Sequence, residues 1–159
     1  MSTPEITVAA VAESGGRFLL VEERIDGRLV LNQPAGHLER GETLLQAVIR
    51  EVQEETAWRF SAHQLLGVYL WCHPRTGRFF KRFTFIGSVS GHRPEQPLDE
   101  GIVGTCWLTS DEIRARTATL RSPLVLRCIE DYLAGERSPL EAAAGLDLDS
   151  AGAVAAVTV

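Results

Sequence analysis

The segment Thr43–Thr56 contains neither glycine nor proline, and its apolar residues Leu45, Val48, Ile49 and Val52 fall at i, i+3, i+4 and i+7. That spacing puts them on one stripe of an α-helix. The same segment carries Glu51, Glu54 and Glu55. At about 100° per residue the three carboxylates share an arc of roughly 100°, centred about 120° from the stripe. Such a helix must lay its apolar side on a larger apolar surface while keeping a second, acidic side clear of it.

The flanking sequence supplies that surface as strands. Ile6–Ala12 and Phe18–Val21 are apolar runs on either side of Ser14-Gly15-Gly16, which predicts a hairpin. Asp26-Gly27 marks a turn before a short strand, Leu29–Leu31, and Asn32–Gly36 reads as a loop. Leu65–Cys72 and Phe79–Val89, rich in aromatic and β-branched residues, form a second hairpin about the turn Pro74–Gly77. Gly91–Gly101 is a loop and Val103–Leu108 a strand. Thr109 or Ser110 caps a helix from about Asp111, and Ser122-Pro123 opens another that runs to about Ala134 and stops at Gly135. Strands, helix, strands, helices in this order give a mixed α/β (α+β) sandwich rather than a regular βαβ array. One domain over residues 1–141 is expected. Residues 142–159, rich in Ala and Gly and without an aromatic residue, read as a loosely attached tail.

A length of 159 residues suits one core. The net charge of -5 argues against binding a nucleic acid polymer, which calls for a basic patch. It leaves a small anionic substrate open, because a metal ion can supply positive charge locally. Cys72, Cys106 and Cys128 are odd in number and widely spaced, which gives neither a disulfide framework nor a zinc pattern. The N-terminus lacks a basic region followed by an apolar run, and no stretch reaches the roughly 20 apolar residues of a membrane span. A cytoplasmic protein without membrane attachment, monomeric or homodimeric, is the expectation.

Three carboxylates on one helical arc repel each other unless a hard divalent cation takes them as oxygen ligands. Alone they read more readily as an ordinary solvated acidic face. The surrounding residues decide between the two. From Gly36 the chain runs GHLERGETLLQAVIREVQEETAW, which resembles the Nudix box, G-x5-E-x7-R-E-U-x-E-E-x-G-U with U bulky and apolar. Gly36, Glu42, Arg50, Glu51, Val52, Glu54, Glu55 and Trp58 match in register, and Ala57 departs where the family has Gly. If that position is left-handed, alanine is strained there by roughly 1 kcal/mol.

The resemblance implies a Nudix-type α/β/α sandwich with a mixed β-sheet, and hydrolysis of a phosphoanhydride with Mg2+, or Mn2+ in its place. It implies Glu51, Glu54 and Glu55 as metal ligands, joined by the Gly36 carbonyl and by a carboxylate from the loop before the Val103 strand, Glu100 or its neighbour Asp99. Glu51 is the expected residue for orienting or deprotonating the attacking water. Arg50 and Glu42 are expected to pair and hold the loop to the helix. Candidate substrate contacts are His37, Arg78 and Lys81, with Arg82 beside them. Trp71, Phe79, Phe80 and Phe83 can stack on a ring or belong to the core.

Beyond the box, NQPAGHLE at Asn32–Glu39 and LRSPLVL at Leu120–Leu126 resemble a bacterial subgroup of NudJ-type phosphatases, as does the spacing of Gly135, Arg137, Pro139, Leu140 and Glu141. That subgroup releases inorganic phosphate from nucleoside tri- and diphosphates and from thiamine-pathway diphosphates. The alternatives are a nucleotide or ADP-ribose pyrophosphohydrolase and a non-catalytic Nudix-fold binding module. Such modules commonly lose box glutamates, and all three remain here.

Overall fold

β1 (Glu5–Ser14) is apolar at nearly every central position because both of its faces are covered. Val8, Ala10 and Ala12 point to one side and Val11 to the other, following the two-residue period of a strand. The computed structural model describes residues 3–144. In it, β1 is the strand on which the two parts of the sheet meet.

The hairpin expected at Gly15-Gly16 exists only at its tip. β1 and β2 (Arg17–Ile25) pair at Glu13–Phe18 and Ser14–Arg17 and then part. Beyond the tip β2 pairs with β3 (Arg28–Asn32) and with β7 (Ile102–Thr109), both antiparallel. β1 instead runs parallel to β6 (Phe79–Ser90), from Glu5–Phe80 to Ala12–Gly87. β6 forms the expected hairpin with β5 (Arg59–Cys72), and β5 takes a two-residue strand, β8 (Ser138–Pro139), on its far edge. Asn32–Gly36, expected as a loop, ends in β4 (Ala35–His37), which pairs with β1. Local propensity misses β4 because the partner strand, not its own residues, makes it a strand.

Helices cover both faces. α1 (Leu44–Thr56) begins at Thr43, whose hydroxyl accepts from the Gln46 N–H while Gln46 reaches back to the Thr43 N–H. It packs Leu44, Ala47, Val48 and Val52 against Val8, Ala10, Leu65, Phe83 and Phe85. The helix is rolled relative to the expected stripe. Ile49 is 41% exposed, whereas Glu51 and Glu55 are buried. Glu51 and Glu55 therefore face the body of the protein, while Glu54 stays partly exposed.

On the opposite face α2 (Ser110–Arg114), capped by Thr109, and α3 (Pro123–Leu133), capped by Ser122 with proline at its start, bring Ile113, Val125, Cys128 and Ile129 onto Val11, Leu20 and Ile86. This is the expected α/β/α sandwich. α4 (Glu141–Ala144) follows β8, and Ala143 is fully buried in the α1-side core. The first part of the stretch expected to be a loose tail is thus docked, and residues 145–159 of that stretch lie outside the described residues. The three cysteines are free thiols, Cys72 exposed and Cys128 buried.

Ala57 closes α1 in the left-handed region at φ 60°, ψ 17°, as the box position requires. Its methyl group is buried, at 1% exposure. Relief of left-handed strain is worth about 1 kcal/mol, and losing one buried methyl costs about 0.8 kcal/mol. The two nearly cancel. Ala57→Gly should therefore shift stability in urea denaturation by less than about 1 kcal/mol. A larger change in either direction would show that one of these two effects is misjudged.

Candidate active site

Arg50 organises the site. It points from α1 to the loop before the helix, where its Nε donates to Glu42 and its Nη2 donates to Glu42 Oε2 at 3.1 Å and to the His37 carbonyl at 3.0 Å. Its Nη1 donates to Glu51 Oε1 at 2.8 Å and to Glu54 Oε2 at 3.1 Å. One guanidinium thus fixes the loop, the helix and two of the three box glutamates. The Arg50 pairing holds the Glu42 carboxyl below its usual range. Glu42 and Glu51 in turn raise the basicity of Arg50. The expected Arg50–Glu42 pair is present and is bidentate.

Glu51 lies directly against the backbone of Gly36. A β-carbon at position 36 would fall inside the Glu51 carboxylate. Glycine is required there for close approach, since its backbone needs no left-handed conformation. Burial pushes the Glu51 carboxyl up, Arg50 opposes this, and Glu54 and Asp99 add to it.

A third carboxylate arrives from the loop between β6 and β7. The oxygens of Glu51, Glu54 and Asp99 lie within 4.8 Å of one another. The loop is strapped to α1 by reciprocal bonds between Gln53 and Gln96. Gln53 Nε2 donates to Gln96 Oε1 at 2.6 Å, and Gln96 Nε2 donates to the Gln53 carbonyl at 2.7 Å. The Asp99 N–H then donates to the Glu54 carbonyl at 3.0 Å. Glu100, next in sequence, is exposed and is not one of the grouped carboxylates. The Gln53–Gln96 strap has no local sequence signal, because the two residues are far apart in the chain and both are ordinary polar types.

Glu55 faces another way. It accepts the Ala35 N–H at 2.8 Å and lines a cleft of about 950 Å³ on the α3 side of the sheet. Burial pushes its carboxyl up to about 9, opposed by the Ala35 N–H and reinforced by Glu23, Glu51 and Asp99.

Pairing registers define that cleft. Residues directly opposite one another across a sheet share a face. One row holds His37, Thr7 and Arg82, and the next holds Glu5, Phe80 and Trp71. Trp71 and Phe80 stack with ring centroids 5.8 Å apart and form an aromatic wall. Arg78 lies at the rim, where it donates to both oxygens of Glu5. Of the expected substrate contacts, His37 and Arg78 line the cleft and Lys81 does not. Lys81 lies one residue out of step with Arg82, on the α1 side, with its ammonium 5.6 Å from the Phe83 ring centroid. Phe83 belongs to the core. Arg82 occupies the cleft floor and is buried.

Comparison with known proteins agrees with this arrangement. The NUDIX domain family matches residues 1–128. The chain is 41% identical over 141 residues to "Phosphatase NudJ" of Escherichia coli (strain K12), covering 89% of this chain and 91% of that protein. The corresponding protein of Shigella boydii matches to the same extent. Among solved structures, a "NUDIX hydrolase from Nitrosomonas europaea" superposes with a TM-score of 0.86 at 51% identity, over 87% of this chain and 95% of that one. A "MutT NUDIX hydrolase from Burkholderia pseudomallei", 21% identical over 82% of this chain and 98% of that one, shares the fold with a TM-score of 0.69. With the box residues gathered around Arg50 and the match running through most of the domain, the chain belongs to the Nudix hydrolase family.

Proposed function

We propose that this Nudix hydrolase removes the terminal phosphate from nucleoside tri- and diphosphates and from thiamine-pathway diphosphates, using magnesium, or manganese in its place. The observation that carries the reading is the grouping of the Glu51, Glu54 and Asp99 oxygens within 4.8 Å beside a cleft with an aromatic wall and a basic rim. The name of the 41% identical relatives, phosphatase, supports release of orthophosphate.

The donor set fits a hard divalent cation, since it is all oxygen and its mutual repulsion is relieved on the protein side mainly by Arg50. Glu51, Glu54 and Asp99 would hold the ion, and the family resemblance adds the Gly36 carbonyl and Glu55 as further ligands. Bound there, magnesium supplies the positive charge that offsets the phosphoanhydride in the transition state. Arg50 keeps Glu51 and Glu54 fixed, so that little reorganisation accompanies the reaction. Glu51, buried and braced by Arg50, is the residue assigned to orienting the attacking water. Trp71 and Phe80 offer a face on which the organic part of the substrate can stack.

Activity should therefore appear with magnesium or manganese and vanish in excess chelator, in a phosphate-release assay. Undiminished turnover in chelator would reject the metal site. The bond cut is tested by hydrolysing a nucleoside triphosphate in oxygen-18 water and weighing both products. Labelled orthophosphate with unlabelled diphosphate is the expected result. Pyrophosphate as the main first product would overturn the phosphatase reading in favour of a pyrophosphohydrolase.

A further inference from the structure

Among the described residues, the buried guanidinium of Arg82 forms no ion pair. Its Nη2 donates to Gln33 Oε1 at 2.7 Å, and its Nε finds no hydrogen-bond partner among the described residues. Cys128 and Tyr69 act on it through space, as do the carboxylates Glu55 and Glu23. Both carboxylates also line the cleft. Burying an unpaired guanidinium is strongly unfavourable. It persists where the fold over-determines it and where a bound anion completes it.

The fold does over-determine it. Gln33 Nε2 donates to the Val125 carbonyl in the first turn of α3 at 2.8 Å, so the amide oxygen is turned to Arg82. The Arg121 N–H donates to the Leu31 carbonyl at 2.8 Å, and Leu31 and Leu120 form a bridge. The segments NQPAGHLE and LRSPLVL, which lie outside α1, thus meet at Gln33, the residue that holds the Arg82 guanidinium. Arg121 and Ser122, at the positive end of α3, line the same cleft.

The position relative to the carboxylate cluster is set by register. Arg82, Thr7 and His37 lie in one row, so the Arg82 and His37 backbones are two strand spacings apart, roughly 10 Å. Gly36, next to His37, touches Glu51 on the other side of β4. A substrate phosphate at Glu51 would leave the rest of the molecule running over β4 toward Arg82.

We propose that Arg82 binds an oxygen of the phosphate that stays with the leaving part of the substrate, and that Gln33 is its positioning residue. The proposal rests on the phosphoanhydride reading above and sharpens it. Arg82 makes the site require a second phosphate beyond the one removed, which selects diphosphates and longer chains and disfavours monoesters.

The test uses inorganic pyrophosphate as the probe, titrated calorimetrically into the full chain in excess chelator, so that no metal contributes. Arg82→Met exchanges the guanidinium for an apolar group that fills much of the same space, and thermal melting checks its fold. Pyrophosphate should bind at least tenfold more weakly to Arg82→Met than to the wild type. Gln33→Leu, which leaves the charge but frees it, should give a smaller loss. Arg82→Lys, which keeps a charge, should retain part of the affinity. With magnesium present, Arg82→Met should raise KM for a nucleoside triphosphate about tenfold while the magnesium concentration for half-activity stays put. A loss of structure alone would move both. Equal pyrophosphate affinity in wild type and folded Arg82→Met overturns the proposal, and so does a wild type that binds no pyrophosphate in chelator. Should Arg82→Met fail to fold, unchanged affinity in both Gln33→Leu and Arg82→Lys overturns it. Failure of the phosphatase reading would show separately, as a wild type inert toward phosphoanhydrides with magnesium.

Discussion

Turnover in Glu54→Gln should fall roughly 1,000-fold, about 4 kcal/mol in activation free energy. The substitution keeps the shape of the side chain and removes one of three carboxylates whose oxygens lie within 4.8 Å of one another. The remaining Glu51 and Asp99 still attract a cation, so the lost activity should be partly restored by raising magnesium or manganese. Glu54 sits toward the exposed side of the helix, with its side chain 40% exposed. The fold should be preserved, with a melting temperature within a few degrees of the wild type. Asp99→Asn should behave similarly, and Glu100→Gln should leave turnover near normal. A wild-type rate in both Glu54→Gln and Asp99→Asn would place the reaction elsewhere in the molecule.

Gly36→Ala should lower turnover at least 100-fold, about 3 kcal/mol, although it adds only a methyl group. That methyl and the Glu51 carboxylate require the same space. Glu51 would have to swing away, breaking its bond to Arg50 and leaving the carboxylate cluster. Displacement of a reacting group by about 1 Å is enough to cost about 100-fold. Gly104→Ala is the control, because a β-carbon there meets nothing within 4 Å and needs no left-handed backbone. Steady-state rates across a magnesium titration distinguish the two variants. A Gly36→Ala enzyme with normal kcat and normal metal response would mean that Glu51 tolerates displacement.

The parts of this site legible in the sequence are those set by short-range geometry. Glu51 and Glu54 come together because a helix brings i and i+3 to one side, while Glu55, expected with them, turns to the Ala35 N–H and the cleft. Arg50 and Glu42 meet because only the capping Thr43 and less than two turns of α1 separate them. The left-handed Ala57 follows from the box position itself. What was hidden depends on distant pairing. Ile49 completes a convincing stripe, yet it is exposed, because α1 is seated by the loop and sheet around Glu51 and Glu55 rather than by its apolar residues alone. Lys81 and Arg82 are equivalent as charges in a strand. Only the pairing of Arg82 with Thr7, and of Thr7 with His37, shows which of them faces the cleft. Asp99 and Glu100 are adjacent carboxylates, and the choice between them is made by the bonds of Gln96 to Gln53, more than forty residues away.

The parallel register of β1 with β6 also orders events during synthesis. The segment carrying β1, the Gly36 loop and α1 leaves the ribosome well before residues 80–87, which β1 needs as its neighbour. Until then the strand under α1 has one side unfilled, and β4 has no stable platform to hold Gly36 against Glu51. Pairing partners this far apart in sequence are slow to meet. A nascent chain that ends before β6 therefore contains every box residue and still cannot assemble the pocket. Circular permutants that open the chain in the Pro74–Gly77 turn would reverse the order of emergence while leaving the same contacts to be made.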